Sequence, residues 1–414
     1  MSLNPEILTR IAQDHGTPAY VYDLDRVAQQ YSRFTQAFSW PRLRVCYAMK
    51  ANYNPSILKT LNKLGAGIDA VSPGELYMAR ACGFDMDRII YTANNITDGE
   101  MAEIHGMGVL LNIGSLSRLE KFGQAFPNSR ICLRFNPDVV DGGHDHIKTG
   151  GSLTKFGILL EDLPRVKALT AKYNLRVVGL HEHTGSGLQD ADSIIQAMEN
   201  IFSIATPENF PHLEFMDFGG GFNVPYGPKD KDFDMAEIGE KISDAYARFC
   251  QRYGRPLDLI FEPGKFITAQ SGVLLTRVNT IKTNRDRTIC GTDSGFPQLI
   301  RPILYQAFHT IENISNPHGS PKSCDVCGNI CESGDVFARD REIPEIREGD
   351  LLAIKNAGAY CHAMGGVYNL RPMPPEVVVE NNEIRLSQKG LTARELVRQI
   401  CSQSLEFTDD ENAR

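Results

Sequence analysis

Side chains able to carry out chemistry lie at the ends of successive apolar runs in the first two thirds of the chain. Lys50 ends the run RLRVCYAMK, Asp69 lies within GAGIDAVS, His183 follows VVGLHE, and Glu262 follows LIF. A lysine amine can bond to an aldehyde, an imidazole can stack or carry a proton, and a carboxylate can hold a protonated ring nitrogen. Eight such runs resemble the parallel strands of a (β/α)₈ barrel, whose active site lies at the carboxyl ends of the strands. We therefore expect these groups to converge.

The elements that would position these groups fall into two sets. The eight β-rich runs alternate with helical segments such as PSILKTLNKLG and DADSIIQAMENIFSIA, as in a parallel barrel. Beyond Ser271, the runs VLLTRVNTIKTN, RTICGTDSG, DLLAIKNAG and EVVVENNEIRLSQKG indicate strands with few helices between them. The sequence predicts an α/β fold: a (β/α)₈ TIM-type barrel over residues 25–270 and an antiparallel β-domain of residues 1–24 and 271–414. The early run AYVYDL is expected to add a strand to the second domain.

Composition excludes several classes of protein. The 414 residues carry a formal net charge of -8 and no basic patch, which argues against nucleic acid as a partner. The N-terminal segment lacks the pattern of a signal peptide, and no apolar run is long enough to cross a bilayer, so we expect no membrane partner and a cytoplasmic location. The ten cysteines are scattered without a secretory signal and are predicted to be free thiols.

Four kinds of group together indicate one cofactor. Lys50 offers an amine, Glu262 a ring-directed carboxylate, His183 a stacking imidazole, and Ser186 a hydroxyl near the three glycines of DFGGGF, whose backbone can approach a phosphate. Taken singly, each has an ordinary interpretation: a solvated lysine, a turn, or a packed structural histidine. Taken together, they predict pyridoxal 5′-phosphate, because its ring accepts electrons best when a carboxylate keeps the pyridine nitrogen protonated.

The motifs YAMKAN, HTGSG, GGGF, EPGK, CESGD and GAY, in this order and spacing, carry a family resemblance. The chain resembles the pyridoxal-phosphate decarboxylases (group IV) of the alanine-racemase-like barrel class, and most closely those members that act on diaminopimelate. The match runs from AYVYDL to PPEVVV, almost the whole chain. It is highly specific for fold and cofactor and moderately specific for substrate.

The resemblance implies roles for individual residues. The residues implied to hold the cofactor are Lys50, Asp69, His183, Ser186, Gly219, Gly220, Gly221, Glu262, Gly264, Lys265 and Tyr360. The residues implied to bind substrate are Lys265, Arg301, Tyr305, Glu332 and Tyr360. The residues implied to act in catalysis are Lys50, His183 and Cys331. Cys331 and Glu332 are implied to come from a second subunit, so a homodimer with shared active sites is expected, the β-domain completing each site.

The implied reaction is that of a carboxy-lyase: meso-2,6-diaminopimelate to L-lysine and CO₂, in lysine biosynthesis. Either Cys331 or Lys50 would return a proton to the α-carbon. An alternative is a decarboxylase of ornithine, arginine, carboxynorspermidine or D-lysine, whose distal group calls for acidic residues instead of Arg301. A second alternative is a pyridoxal-phosphate-binding protein without turnover, although a mere carrier has no need of the β-domain that bears CESGD and GAY.

Three features depart from the family pattern. Lys265 takes the place of the arginine in the usual family motif EPGR. A lysine keeps the positive charge of that arginine but cannot form its bidentate contact. The stretch CHAMGGVYN after GAY also differs from the usual sequence. Cys324 and Cys327 form a CxxC pair, but no second thiolate pair or adjacent histidine completes a zinc set, so no metal is predicted.

Overall fold

The computed structural model describes residues 3–137, 154–185, 191–230, 232 and 234–401. The chain divides into two compact units, one of residues 26–269 and one that joins residues 1–25 to residues 270–414. It begins with α1 (Pro5–His15), β1 (Ala19–Asp23) and α2 (Leu24–Gln36). None of the described helices is long and apolar enough to cross a membrane.

The unit of residues 26–269 is built on parallel strands. Their bounds are β2 (Leu43–Ala48), β3 (Gly67–Ala70), β4 (Ile89–Tyr91), β5 (Leu110–Ile113), β6 (Arg130–Asn136), β7 (Ile158–Leu159), β8 (Arg176–His181), β9 (Phe215–Asp217) and β10 (Asp258–Phe261). The pairing order is β5-β4-β3-β2-β10-β9-β8-β6, and β5 also pairs with β6, which closes a ring of eight. The short β7 pairs with the outer part of β6. The predicted (β/α)₈ barrel is confirmed.

Helices follow the barrel strands, and several begin at a polar capping residue. Their bounds are α3 (Pro55–Lys63), α4 (Pro73–Ala81), α5 (Asp98–Gly106), α6 (Leu116–Ala125), α7 (Leu163–Lys172), α8 (Ala191–Phe202), α9 (Met235–Tyr253) and α10 (Lys265–Thr268). The side chains of Asn54, Ser72 and Thr97 accept hydrogen bonds from free backbone N–H groups in the first turns of α3, α4 and α5. These caps fix where each strand-to-helix connection turns, and so hold the strand ends in register.

An apolar layer fills the barrel below the strand ends. Its members are Cys46, Ile90, Cys132, Val178, Phe215 and Ile260, all buried. The Phe215 ring lies so close to Gly179 that a Cβ atom there would come within 2.0 Å of it. Because barrel interiors are packed as densely as crystals, glycine at this point in β8 is what allows the neighbouring aromatic ring to fill the core.

Replacing Gly179 with alanine should therefore destabilise the protein by roughly 1–3 kcal/mol, because overpacking forces the Phe215 ring out of place. Gly106→Ala is the matched control, since a Cβ atom at the end of α5 meets nothing within 4 Å. The control should change the free energy of unfolding by less than about 1 kcal/mol. Chemical denaturation of the two variants measures the difference, and equal midpoints would contradict the packing argument.

The second unit is a nine-stranded, mostly antiparallel sheet. Its later elements are β11 (Gly272–Asn284), β12 (Arg287–Thr292), α11 (Arg301–Tyr305), β13 (Ile311–Asn313), β14 (Pro321–Cys327), β15 (Val336–Pro344), β16 (Leu351–Ile354), β17 (Glu376–Glu380), β18 (Glu383–Gln388) and α12 (Ala393–Cys401). The early strand β1 lies between β11 and β17. Two pairings are parallel, β1 with β17 and β12 with β14, so the sheet is less uniform than the sequence predicted.

Candidate active site

A ring of buried polar side chains occupies the carboxyl ends of the barrel strands. Its members are Asp69 on β3, Asn112 on β5, Arg134 on β6, His181 on β8, Asp217 on β9 and Glu262 after β10. Buried charges are costly unless they are paired or bind a ligand, so such a ring marks a functional site. Of these side chains, sequence reasoning selected only Asp69 and Glu262.

Lys50 lies in a short 3₁₀ turn, Met49–Ala51, directly after β2. Its amine donates a hydrogen bond to the Asp69 carboxylate. The Lys50 side chain is 38% exposed, whereas Asp69 is fully buried. Burial raises the pKa of Asp69, the negative charge of Glu262 adds to this, and the Lys50 ammonium opposes it. The amine is thus held by a buried anion while remaining accessible, as a residue that bonds to a ligand aldehyde must be.

Glu262 is the carboxylate at the centre of the ring. Its oxygens contact the Thr92 hydroxyl at 3.4 Å and the His181 Nε2 atom at 3.3 Å. Burial raises the pKa of Glu262, while the positive charges of Lys50 and Arg134 oppose the shift. Burial lowers the pKa of His181 well below its usual range, and the charge of Arg134 adds to the effect. His181 is therefore neutral and donates its Nε2 proton to Glu262.

His183 is fixed by the glycine loop that follows β9. Its Nδ1 atom accepts a hydrogen bond of 3.2 Å from the Gly220 N–H, so the ring proton is on Nε2. Burial lowers the pKa of His183 well below its usual range, with Arg134 the next contribution, and the imidazole is neutral. A neutral, flat ring held from one edge is suited to stacking on a ligand ring.

The loop itself admits only small residues. Gly219 has φ +61°, and a Cβ atom there would lie 2.6 Å from His183 Nδ1. A Cβ atom at Gly220 would lie 2.5 Å from the Glu262 carbonyl oxygen, and Gly221 has φ +101°. The Glu262 N–H also donates to the Gly219 carbonyl oxygen at 2.7 Å. The loop therefore passes directly against both His183 and Glu262, which a side chain would prevent.

The remaining barrel residues of the prediction are placed as follows. Gly264 precedes α10, and a Cβ atom there would lie 2.8 Å from the Cβ atom of Ala51, so this backbone passes beside the Lys50 turn. Lys265 begins α10 and is partly buried. Ser186 lies outside the described residues.

Arg134 is a site residue that sequence reasoning missed. Its guanidinium is buried and stacks over the Phe156 ring at 4.6 Å, and none of the described residues accepts a hydrogen bond from its Nη2 atom. Burial lowers the pKa of Arg134, and the carboxylates of Glu262 and Glu182 oppose the shift. The signal was present in the sequence as a charged residue inside the apolar run RICLRF. A buried cation among carboxylates is available to an anionic ligand.

In the second unit, Arg301 begins α11 and Tyr305 ends it. Arg301 is buried, and its Nη1 atom donates to His309 Nε2 at 3.1 Å. The His309 Nδ1 atom in turn donates to the Lys355 carbonyl oxygen at 2.8 Å. Burial lowers the pKa of His309 to about 3, and the Arg301 charge adds to this, so His309 is a neutral acceptor. Sequence reasoning did not identify His309, which holds the guanidinium in one orientation.

The CESGD and GAY motifs belong to the same unit. Cys331 is exposed, and its sulfur accepts a hydrogen bond from Asn369 Nδ2 at 3.1 Å. Glu332 accepts one from the Tyr368 hydroxyl at 2.8 Å. Tyr360 has φ +56°, in the left-handed region. Tyr368 and Asn369, which follow the GAY motif, thus contact Glu332 and Cys331 of the CESGD motif.

The CxxC pair forms no metal site among the described residues. All ten cysteines are free thiols, as predicted. Cys324 is hydrogen-bonded to Cys290 on the neighbouring strand, and this contact lowers the pKa of Cys324. The one group with donor atoms close enough to hold a metal ion, within the described ranges, is His181, Asp217 and Glu262, whose ligand atoms lie within 4.8 Å of one another.

The donor set of the barrel fits pyridoxal phosphate. Lys50 supplies an accessible amine, Glu262 a buried carboxylate, and His183 a neutral ring. The glycine loop offers a backbone that added Cβ atoms would block. These are the groups that an aldehyde, a pyridine nitrogen, an aromatic face and a phosphate require.

Comparisons with known proteins agree with this chemistry. The family model described as pyridoxal-dependent decarboxylase, pyridoxal binding domain, matches residues 24–269. Diaminopimelate decarboxylase of Methanothermobacter thermautotrophicus is 42% identical over 397 residues, which cover 94% of this chain and 92% of that protein. The Escherichia coli enzyme of the same name is 33% identical over 95% of this chain and 96% of its own length. The crystal structure of diaminopimelate decarboxylase from Helicobacter pylori complexed with L-lysine matches with a TM-score of 0.88 at 32% identity, covering 96% of this chain and 100% of that one. The chain therefore belongs to the pyridoxal-dependent decarboxylases and, within them, to the diaminopimelate decarboxylases.

Proposed function

We propose that the protein converts meso-2,6-diaminopimelate to L-lysine and CO₂ with pyridoxal 5′-phosphate as its cofactor. The observation that carries the proposal is the accessible Lys50 amine, held by buried Asp69 on the same ring of strand ends as the buried carboxylate of Glu262. Curated relatives that match nearly the whole chain bear the name of this activity. The lysine-complexed structure of the Helicobacter pylori relative supports the same product.

The residues divide the work by their chemistry. Bound pyridoxal phosphate supplies an aldehyde and a ring that accepts the electron pair left by CO₂. Lys50 would hold the cofactor through its aldehyde, and the Lys50 amine would be free to move a proton once substrate has taken its place. Glu262 would keep a proton on the ring nitrogen, and His183 would stack on the ring. N–H groups of the glycine loop would bind the phosphate.

Two groups are candidates to return a proton to the α-carbon. Lys50 would be near the cofactor aldehyde because it is the residue that bonds to it, and its side chain is partly exposed. Cys331 is an exposed thiol whose sulfur already accepts a hydrogen bond from Asn369. General acid catalysis by either group contributes roughly 10²–10⁴-fold in rate. A Cys331→Ala variant that keeps the cofactor bound to Lys50 but forms L-lysine at least roughly 10²-fold more slowly would assign the proton to the thiol.

Substrate choice is proposed to rest on two opposite charges. Arg301 is a buried, oriented cation for the distal carboxylate, and Glu332 is an anion for the distal ammonium, with the hydroxyls of Tyr305 and Tyr360 assisting. Lys265 adds a point charge where a bidentate arginine fork is usual in the family. A decarboxylase of ornithine, arginine, carboxynorspermidine or D-lysine has no use for a buried cation at the distal end.

The experiment that tests the function is CO₂ release from a panel of amino acids. Purified enzyme with added pyridoxal phosphate is assayed on meso-diaminopimelate, ornithine, arginine, carboxynorspermidine and D-lysine, and the product is identified by chiral chromatography. Meso-diaminopimelate should give L-lysine at a kcat/KM well above that of every other substrate. Faster turnover of any other member would overturn the substrate assignment, and absence of CO₂ from all of them would overturn the enzyme assignment.

We also propose an obligate homodimer in which each active site takes Cys331 and Glu332 from the partner subunit. Mixing inactive Lys50→Ala with inactive Cys331→Ala chains should restore activity, because a hybrid dimer has one complete site. Random exchange makes half of the dimers hybrid, so the expected recovery is about a quarter of wild-type activity. Steady-state assays after subunit exchange measure it.

The matched control mixes Lys50→Ala with Glu262→Gln. Both residues belong to the barrel unit, so every site inherits a defect from its own chain and no activity should return. Recovery in neither mixture, with exchange shown by mass-tagged subunits, would contradict the shared site.

A cytoplasmic location is proposed as well, because the ten free thiols suit a reducing compartment.

A further inference from the structure

Asp217 is a buried acid that the proposed function does not use. It ends β9, one residue before the glycine loop, and is 1% exposed. Its Oδ1 atom accepts a hydrogen bond of 2.9 Å from the Gly219 N–H. Its Oδ2 atom is buried and receives no hydrogen bond from any described donor. A carboxylate oxygen in that position would be an uncompensated buried charge.

A second carboxyl group, that of Glu262, lies close to this side chain. Asp217, Glu262 and His181 each have a polar side-chain atom, and these three atoms all lie within 4.8 Å of one another. Two buried carboxyl groups this close cannot both ionise, so one of them keeps a proton that it can donate to the other. The pair therefore carries one proton.

The environment decides which of the three side chains holds the proton. Burial raises the pKa of Asp217 well above its usual range, and the charge of Glu262 is the next contribution. Burial raises the pKa of Glu262 as well, but the charges of Lys50 and Arg134 and the contact with Asp217 oppose that shift. The remaining ionisable groups around the pair are Asp69, His181, Cys46 and Cys132.

His181 is a poor site for the proton. Its Nε2 atom already donates to Glu262, and its buried Nδ1 atom has no hydrogen-bond partner in the part of the chain that the structure describes. Protonation would create a buried N–H donor with no described acceptor, next to the positive charge of Arg134, which itself lowers the pKa of His181. Asp217, in contrast, has an Oδ2 atom that receives no hydrogen bond from a described donor, and a polar atom of Glu262 lies within 4.8 Å of one of its carboxyl oxygens.

We propose that Asp217 is a protonated carboxylic acid that donates from Oδ2 to Glu262, and so acts as a positioning residue that keeps Glu262 a carboxylate. Glu262 then receives hydrogen bonds from Asp217, His181 and Thr92 and stays anionic for the ring nitrogen. This inference rests on the proposed function in one respect only, which is that the Glu262 carboxylate holds the ring nitrogen of the cofactor. The protonation of Asp217 is a property of the chain itself.

Asparagine at position 217 tests the proposal, because its amide reproduces the protonated acid. The carbonyl oxygen accepts from Gly219, and the NH₂ group donates to Glu262. Infrared difference spectra of wild type minus Asp217→Asn, on the full-length protein with and without pyridoxal phosphate, should show the C=O band of a protonated carboxyl at neutral pH. The control Asp258→Asn removes a carboxylate that is ion-paired with Arg42, and should show loss of a carboxylate band only.

Thermal unfolding gives a second readout. An unfolded aspartate loses its proton near pH 4, whereas folded Asp217 keeps its proton to higher pH, so wild-type stability falls as pH rises through that window. The side chain of Asn at position 217 does not titrate, so the Asp217→Asn variant does not lose stability in this way as pH rises. Its Tm should exceed that of wild type by roughly 2–4 °C or more at pH 8 and by less at pH 5. An ionised Asp217 in a favourable pair predicts the opposite sign.

Cofactor retention completes the test. Asp217→Asn should keep the dissociation constant for pyridoxal phosphate within about threefold of wild type, while Asp217→Leu, which loses the hydrogen bond to a buried charge, should weaken it roughly 10–100-fold. The proposal is overturned if the asparagine variant fails to fold, if the protonated band is absent, or if the purified protein holds stoichiometric metal in place of the proton. Failure to bind cofactor with the band intact would count against the proposed function alone.

Discussion

Lys50→Ala should abolish covalent attachment of pyridoxal phosphate and lower kcat on meso-diaminopimelate by roughly 10²–10⁴-fold or more. The side chain is the accessible amine that buried Asp69 holds at the end of β2, and it is one of the two candidates for proton transfer. The visible absorption band of the bound cofactor should shift to that of the free aldehyde. Borohydride reduction followed by peptide mapping should place the cofactor on the YAMK peptide of wild type and nowhere in the variant.

Lys59→Ala is the matched control. Lys59 lies on the exposed surface of α3, a few residues further along the chain, and has no place in the strand-end ring. Its spectrum, labelled peptide and kcat should equal those of wild type. Cofactor trapped on any lysine other than Lys50 in wild type would refute the assignment of the binding lysine, whatever the rates of the two variants.

Arg301→Ala should cost turnover of meso-diaminopimelate far more than turnover of D-lysine, which lacks the distal carboxylate. Removing the cation opposite a desolvated carboxylate costs about 2–5 kcal/mol, or roughly thirtyfold to several thousandfold in kcat/KM. The effect should be at the upper end, because His309 and the Lys355 carbonyl hold the guanidinium in one orientation before substrate arrives. Steady-state kinetics of both substrates on both enzymes measure the ratio.

Arg339→Ala provides the comparison. Arg339 lies on β15 of the same unit, and its side chain is 55% exposed, so its loss should change neither substrate's kcat/KM beyond a small factor. Equal losses on meso-diaminopimelate and D-lysine in Arg301→Ala would indicate a structural role for the arginine. A wild-type preference for D-lysine would refute the diaminopimelate assignment and leave a decarboxylase standing.

The barrel was predictable because its strands are buried on both faces. Runs such as RICLRF and LIF are almost continuously apolar, and parallel strands require that pattern. In the second unit, β14 and β15 were not anticipated, because PKSCDVC and VFARDREIP place charges and exposed residues on strands near the edge of the sheet. Their alternation is broken by register shifts, which erases the period of two.

The candidate site was only half predictable from sequence. Residues that come just after a strand, such as Lys50 and Glu262, were identified by position. Arg134, His181 and Asp217 were not, because each is a polar residue near the end of an apolar run and cannot be distinguished in sequence from one that faces outward. His309 is further from prediction, since its role exists only through a tertiary contact with Arg301. The assignments to CESGD and GAY depended on family resemblance.

The position of β1 has a consequence for how the chain acquires its structure during synthesis. The barrel unit is continuous in sequence, so all its pairings can form as soon as residue 269 has left the ribosome. The sheet is different, because its β1 strand is made first but pairs with β11 and with β17. Tyr20 on β1 lies opposite Leu274 of β11 and opposite Glu376 of β17, so the second partner is made more than 350 residues later. Until Glu380 is made, Val21 and its neighbours present an unpaired apolar edge that must be protected from other nascent chains. High contact order in this one sheet makes it the slow, aggregation-exposed step of biogenesis.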